Sequence, residues 1–402
     1  MKLLTPKTTL LSLALLGAFA GGVASFDADA ARRSETKKEE VLYPDATREE
    51  PKVKGSPKVQ TKLNKLIETY NKAIEQDDDA KAKEGYTNAR ALADEILAHA
   101  SATEYDKAVA AQIASQAAMS TDDEAGAEAY LKQAIDANAL GNNQHFQLQL
   151  QLAQLQLQKD DYTNGFVTLE KYFTESKSKR PADLAFKGQY LYQAERYADC
   201  VPPLKQAIDT STNPEDKVDN WTQILMVCYQ ESGQTAEALK VAEALATKSP
   251  NDKRAQMNLA TIYLNSEQEA KAASVLEKMR STGLLTEERD YKQLFITYAN
   301  MDGKEKEVIS VVNEGLQKGL LKPDYQTQLA LAQAYYYSEQ IPQAIEAWQK
   351  AAPLGTNGDT YLNLARVLWQ EGRIPEAKVA ARAALDKGLK KPEDAKKIIA
   401  LP

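Results

Sequence analysis

Histidine and cysteine are almost missing, with two of each in 402 residues, which leaves little for metal ligation or nucleophilic chemistry. His99 and His145 stand alone, without a companion at ligand spacing, and a structural or surface role suits each better than metal binding. Glycine (18) and proline (15) are sparse as well. β-Sandwiches and barrels need turn residues about every 8–12 positions, so that scarcity argues against both. No excess of positive charge exists: the formal net charge of −7 removes any general electrostatic case for nucleic-acid binding. No Ser-His-acid set, glycine-rich phosphate loop or Cys-x-x-Cys motif occurs.

What is present is 43% apolar and 27% charged, the balance of a globular chain, with 19 tyrosines among the few aromatics. Length alone would suggest two or three domains at about 100–200 residues each. Abundant Ala, Leu, Gln, Lys and Glu favour helices over strands. Composition therefore points to a helical binding protein.

The N-terminus reads Met1-Lys2-Leu3-Leu4-Thr5-Pro6-Lys7, followed by an apolar stretch from Leu10 to Ala20. Two lysines, a short apolar core and small residues beyond it are the parts of a secretory signal, with cleavage expected near Ser25. As an uncleaved anchor the stretch falls short of the about 20 apolar residues that a bilayer needs. No cysteine lies near the cleavage zone to accept a lipid. Residues 1–25 are thus read as a signal peptide and the mature chain as periplasmic, with no membrane span after cleavage. Residues 26–59 are polar, with a mixed charge run at Ser34–Glu40 and prolines at 44, 51 and 57; they are expected to form a disordered linker. Val41-Leu42-Tyr43 offers an alternative there, a short docking sequence.

From residue 60 onward an internal repeat emerges. Tyr361-Leu362-Asn363-Leu364-Ala365 is followed by Leu368, Gly372, Ile374, Ala377, Ala381 and Ala384. The preceding unit has Leu331-Ala332, Tyr335, Ile341, Ala344, Trp348 and Ala351. Related units contain Leu259-Ala260 with Tyr263 and Ala272, Leu225 with Tyr229 and Ala238, Gly188 with Leu204, and Leu152-Ala153 with Leu169. Anchor residues recur 33 to 38 positions apart, as between Ala332 and Ala365 or Ala153 and Gly188. That length accommodates two antiparallel helices and two turns. The small residue of each first helix and the alanine of each second helix would let two backbones approach closely. No unit can bury its apolar face alone, so stacking is required. The alternation Gln147-Leu148-Gln149-Leu150-Gln151-Leu152 reads locally as strand. The repeat frame makes it a helix.

This pattern resembles the tetratricopeptide repeat. The resemblance implies an all-α, right-handed α-solenoid of eight to nine hairpins over residues 60–400. It also implies a non-catalytic interaction scaffold whose first helices line a concave groove for an extended peptide or a partner helix. Groove candidates are Gln189, Tyr192, Gln223, Gln230, Asn265, Asn300, Gln333, Tyr336, Tyr337, Arg366 and Trp369. Amides and aromatics of this kind can hydrogen-bond a backbone while stacking on side chains. Tyr336, Tyr337 and Trp369 could alternatively pad neighbouring helices. The family's carboxylate-gripping branch needs lysines where Met257 and Leu362 stand, beside Asn258 and Asn363. The whole-chain layout is similar to tetratricopeptide proteins found with TonB energy-transduction systems, which implies TonB/ExbB/ExbD-type envelope partners. Peptidoglycan or outer-membrane assembly machinery is the alternative client. No leftover segment is long enough for a catalytic domain, and no cofactor or small-molecule substrate is implied. Asp77-Asp78-Asp79 and Asp122-Asp123-Glu124 are expected at helix N-termini rather than around calcium. Cys200 and Cys228 could form one disulfide in an exported chain or remain two buried thiols.

Overall fold

A computed structural model describes residues 40–402. The expected signal peptide, its cleavage zone and residues 26–39 of the expected linker lie outside the described residues. The described residues contain nineteen α-helices and no strand. None of the helices is long and apolar enough to cross a membrane.

The chain divides into two compact units. The first, residues 40–196 with 202–216, opens with the hairpin of α1 (Gln60–Ile74) and α2 (Asp79–Leu97). It continues with α3 (Glu104–Met119) and α4 (Glu124–Asp136), then α5 (Asn142–Gln158) and α6 (Tyr162–Ser176). Its last hairpin is α7 (Pro181–Gln193) and α8 (Tyr197–Thr210), the first turn of α8 being assigned to the second unit. The second unit stacks α9 (Val218–Glu231) with α10 (Thr235–Lys248) and α11 (Lys253–Asn265) with α12 (Glu269–Ser281). Then come α13 (Glu288–Ala299) with α14 (Glu305–Gln317) and α15 (Tyr325–Tyr337) with α16 (Ile341–Ala351). The hairpin of α17 (Asp359–Gln370) and α18 (Ile374–Asp386) is closed by the short α19 (Glu393–Ile399). Nine helical hairpins result, and the fold class is all-α and tetratricopeptide-like.

The repeat anchors are where the helices meet. Ala153, Ala260, Ala332 and Ala365 on first helices and Ala238, Ala272, Ala344 and Ala377 on second helices have no exposed surface. Larger side chains fill the space beside them, as Leu276, Tyr291, Leu294 and Phe295 do in the core of the second unit. The Gln/Leu stretch is helical, as part of α5. Both leucine faces are covered, with Leu148, Leu150, Leu152 and Leu157 all buried. Two of the glutamines go inside as well and find partners there, although the Gln149 Oε1 has none. Gln149 donates to Glu175 at 2.8 Å, and Gln156 accepts from Thr168 at 2.7 Å. A helix enclosed on several sides has no single polar face, and for that reason the period-two alternation carries no strand meaning.

The acidic clusters sit at helix starts. Asp78 caps α2 by accepting from the Ala80 and Lys81 N–H groups, and Asp123 caps α4 while pairing with Arg90 at 2.7 Å. Pro214 and Pro250 occupy the turns before α9 and α11. Proline does sit in the first turns of α7, α16 and α18.

The expected disordered linker requires a correction over residues 40–59. These residues form an extended strap on the first unit, because scattered side chains in a polar segment find fixed partners. Tyr43 is buried against Phe146 and Tyr172, and Arg48 donates to Asn138, Asn142 and the Leu140 carbonyl. The Ser56 N–H donates to Asp106 at 2.9 Å. Within Val41-Leu42-Tyr43 the tyrosine is seated on the chain's own helices, whereas Val41 remains exposed.

Candidate functional site

The candidate residues fall into two positional groups. Gln189 on α7, Gln223 on α9, Gln333 on α15 and Arg366 on α17 lie within their helices. Tyr192, Gln230, Asn265, Tyr336, Tyr337 and Trp369 lie in the last residues of theirs, and Asn300 is the C-cap of α13. Seven of the eleven therefore stand where a first helix ends and its hairpin turns.

Within the first unit, Gln189 and Tyr192 are half-buried on α7. Within the second, Gln223 and Asn258 line a recess of about 80 Å³ together with Met226, Leu245, Lys248 and Arg254. Lys248 is engaged there by Asp219 at 2.6 Å. Asn265, Asn300 and Gln333 are exposed. Arg366 is held by Asp394 at 2.7 Å and by Asn363 at 3.2 Å, so its charge is already partly matched.

The three aromatics do not share one fate. Tyr336 packs on Trp348 with ring centroids 5.3 Å apart, the padding role. Tyr337 meets Tyr336 edge-on at 5.5 Å yet leaves 70% of its surface in water, and Trp369 leaves 47%. Large aromatics left open on otherwise polar helix ends are the surface most suited to a protein partner.

Cys200, in the first turn of α8, and Cys228 on α9 form a disulfide with Cα atoms 6.3 Å apart. His99 accepts from the Ser101 N–H in the turn after α2. His145 is buried and contacts Gln149 at 3.2 Å, leaving Nδ1 without a protein partner. Burial, then the charges of Arg48 and Lys171, push its pKa down to about 4. A polar cavity of about 400 Å³ adjoins it, lined among others by Arg48, Asn138, Lys171 and Glu175. No cluster of potential metal ligands occurs among the described residues.

Two features escaped the sequence reading. The first is the seat of Tyr43, for which Val41-Leu42-Tyr43 was a faint signal. The second is a set of left-handed turns: Gly233, Gly303 and Gly372 have positive φ, and Glu195, Glu267 and Glu339 adopt the same conformation at the equivalent turn. Only the glycines announce that position in a sequence.

The fold defines an all-helical repeat protein. Residues 229–283 match the family model of the tetratricopeptide repeat, so that segment carries the repeat. No curated protein gives a significant sequence match. Among solved structures, the C-terminal part of a TPR repeat-containing protein from Cytophaga hutchinsonii is 15% identical. It aligns over 63% of this chain and all of its own, with a TM-score of 0.49. YrrB, a TPR protein with an unusual peptide-binding site, is 13% identical over 49% of this chain and 98% of its own, with a TM-score of 0.39. MamA is 17% identical over 46% and 96%, with a TM-score of 0.37.

Proposed function

We propose that this protein is a non-catalytic interaction scaffold of the cell envelope that receives an extended peptide or helix on the first helices of its hairpins. The observation that carries this reading is the exposure of Tyr337 and Trp369 at the ends of α15 and α17 in one unit, beside Tyr336. Interfaces draw most of their energy from a few such aromatics, and tyrosine adds a hydroxyl that can bond a partner's backbone. Export from the cytoplasm rests on the N-terminal lysine-plus-apolar pattern and gains support from the disulfide, since such bonds persist in oxidising compartments. The layout shared with tetratricopeptide proteins of TonB systems makes a TonB/ExbB/ExbD-type complex the proposed client.

Capture from cross-linked cell envelopes tests the proposal. Wild-type bait is expected to recover motor-complex subunits, and the Tyr336→Ala/Tyr337→Ala/Trp369→Ala triple variant to recover much less while retaining its helical circular-dichroism spectrum. Recovery of cell-wall synthases without motor subunits would discard the TonB client. Undiminished capture by the folded triple variant would move the site elsewhere.

A further inference from the structure

Residues 40–58 adopt no regular structure and, apart from Tyr43, bury no side chain completely. Their attachment is that of a linear ligand: an aromatic anchor and an arginine clamp with a main-chain bond between them, flanked by polar contacts of Glu40 and Leu42 with Asn143, Asp45 with Lys179, Glu50 with Asn142 and Ser56 with Asp106. Tyr43 enters a seat on α5, α6 and the start of α7, edge-on to Phe146 at 5.1 Å and to Tyr172 at 6.1 Å. Its hydroxyl accepts from Arg180 at 3.1 Å and lies 3.3 Å from that of Tyr172, which donates to the buried Asp183 carboxylate. The Arg180 guanidinium also stands over the Tyr43 ring at 5.7 Å. Four residues on, the Thr47 N–H donates to the Glu175 carbonyl at 2.8 Å. Arg48 then fills the second pocket, donating to the Asn138 and Asn142 side chains at 2.7 Å each and to the Leu140 carbonyl at 2.9 Å.

We propose that this edge of the first unit is a peptide-recognition site, selective for an extended segment with a tyrosine and an arginine five residues later, which the chain fills with its own residues 43–48. The specificity is chemical at both ends. An apolar ring satisfies Phe146 and the cation of Arg180, but only a phenol supplies an oxygen to the Arg180–Tyr172–Asp183 network. The second pocket offers several carbonyl and amide oxygens at once, which a guanidinium matches with its fork of donors and an ammonium does not. A protein partner bearing the same pair must displace the strap to bind, so the strap is a competitor held in place by its tether.

The test uses a fluorescent peptide with the sequence of residues 40–52, measured by anisotropy against full-length protein. The Tyr43→Ala/Arg48→Ala variant, with its seat vacated, is expected to bind it at least ten-fold more tightly than wild type. The same peptide with alanine in place of Tyr43 is expected to lose that binding. Absence of binding by a folded variant, or equal binding by wild type and variant, overturns the proposal. Hydrogen exchange on the wild-type chain gives a reading independent of variant folding. The Thr47 amide should exchange at least ten-fold faster than buried amides of α5, through opening of the strap alone. Exchange of Thr47 only with global unfolding would make residues 43–48 part of the core and overturn the proposal as well.

Discussion

Gly188 on α7 lies so close to Leu204 on α8 that a Cβ at position 188 would stand 2.4 Å from the Leu204 Cγ. Leu204 is fully buried and cannot swing away into solvent. Alanine is ordinarily favoured over glycine in a helix by about 1 kcal/mol. Overpacking costs about 1–3 kcal/mol and acts in the opposite direction. Gly188→Ala is therefore expected to destabilise by about 1 kcal/mol net, seen as a lowered urea midpoint for the first unit. An unchanged or raised midpoint would mean that the two helices can slide apart at little cost.

Glu339 holds a left-handed backbone at φ 62°, the conformation that Gly372 takes in the next hairpin at φ 71°. Glu339→Gly relieves the steric clash of that conformation and adds freedom to the unfolded chain, two effects of opposite sign. The clash is the larger, so a gain of about 0.5 kcal/mol is expected, together with a small rise in Tm. A fall in Tm would show that the glutamate side chain contributes more than its strain costs.

Acid should reach the two units differently. His145 has a folded pKa of about 4 against an unfolded value near 6.5, so the unfolded chain binds more protons between those limits. The stability of the first unit then falls as pH drops from about 6.5 toward 4. The expected loss is about 1 kcal/mol, discounted from the full shift because the adjoining cavity admits solvent. His145→Asn should flatten the dependence of Tm on pH across that window.

Glu314 acts with the same sign in a more acidic window. Its burial would raise the pKa, but bonds from Lys318, Arg280 and Tyr291 outweigh this and hold it down to about 2. Its contribution is complete above about 4.5 and disappears as pH falls toward 2. Glu314→Gln should cost about 1 kcal/mol at neutral pH by weakening these bonds. It should also remove this part of the acid sensitivity, as followed by denaturant melts at pH 7, 4 and 3.

The Cys200–Cys228 bond closes a loop of 28 residues in sequence separation. Cross-linking that span restricts the unfolded chain by about 3 kcal/mol in the chain-entropy account. The Cys200→Ala/Cys228→Ala variant should lose stability of that order and become insensitive to reducing agent. Mass spectrometry without reductant should show the wild-type chain two hydrogens lighter than its reduced form. Two free thiols in protein purified without reductant would contradict this.

Much of the architecture was legible because it is local. The recurrence of Ala332, Ala365 and their counterparts fixes the helix pairs, since only small residues allow close approach at those points. The turns were partly legible: Gly233, Gly303 and Gly372 mark a left-handed position, whereas Glu195, Glu267 and Glu339 conceal it. The candidate surface was less legible. Residue type alone could not tell that Tyr336 covers Trp348 while the adjacent Tyr337 stays open. That distinction depends on which side of the final turn of α15 meets α16.

Periodicity in the amino-acid order by itself determined the helical class, the hairpin spacing and the residues at the tight contacts, because each is set by neighbours within one or two turns. Tertiary structure alone decided the seat of Tyr43, 129 positions before Tyr172, and the fit of Arg48 among oxygens of Asn138, Leu140 and Asn142. Such pairings leave no local trace. A polar segment becomes a strap only when distant helices have already assembled the pocket that its tyrosine fills.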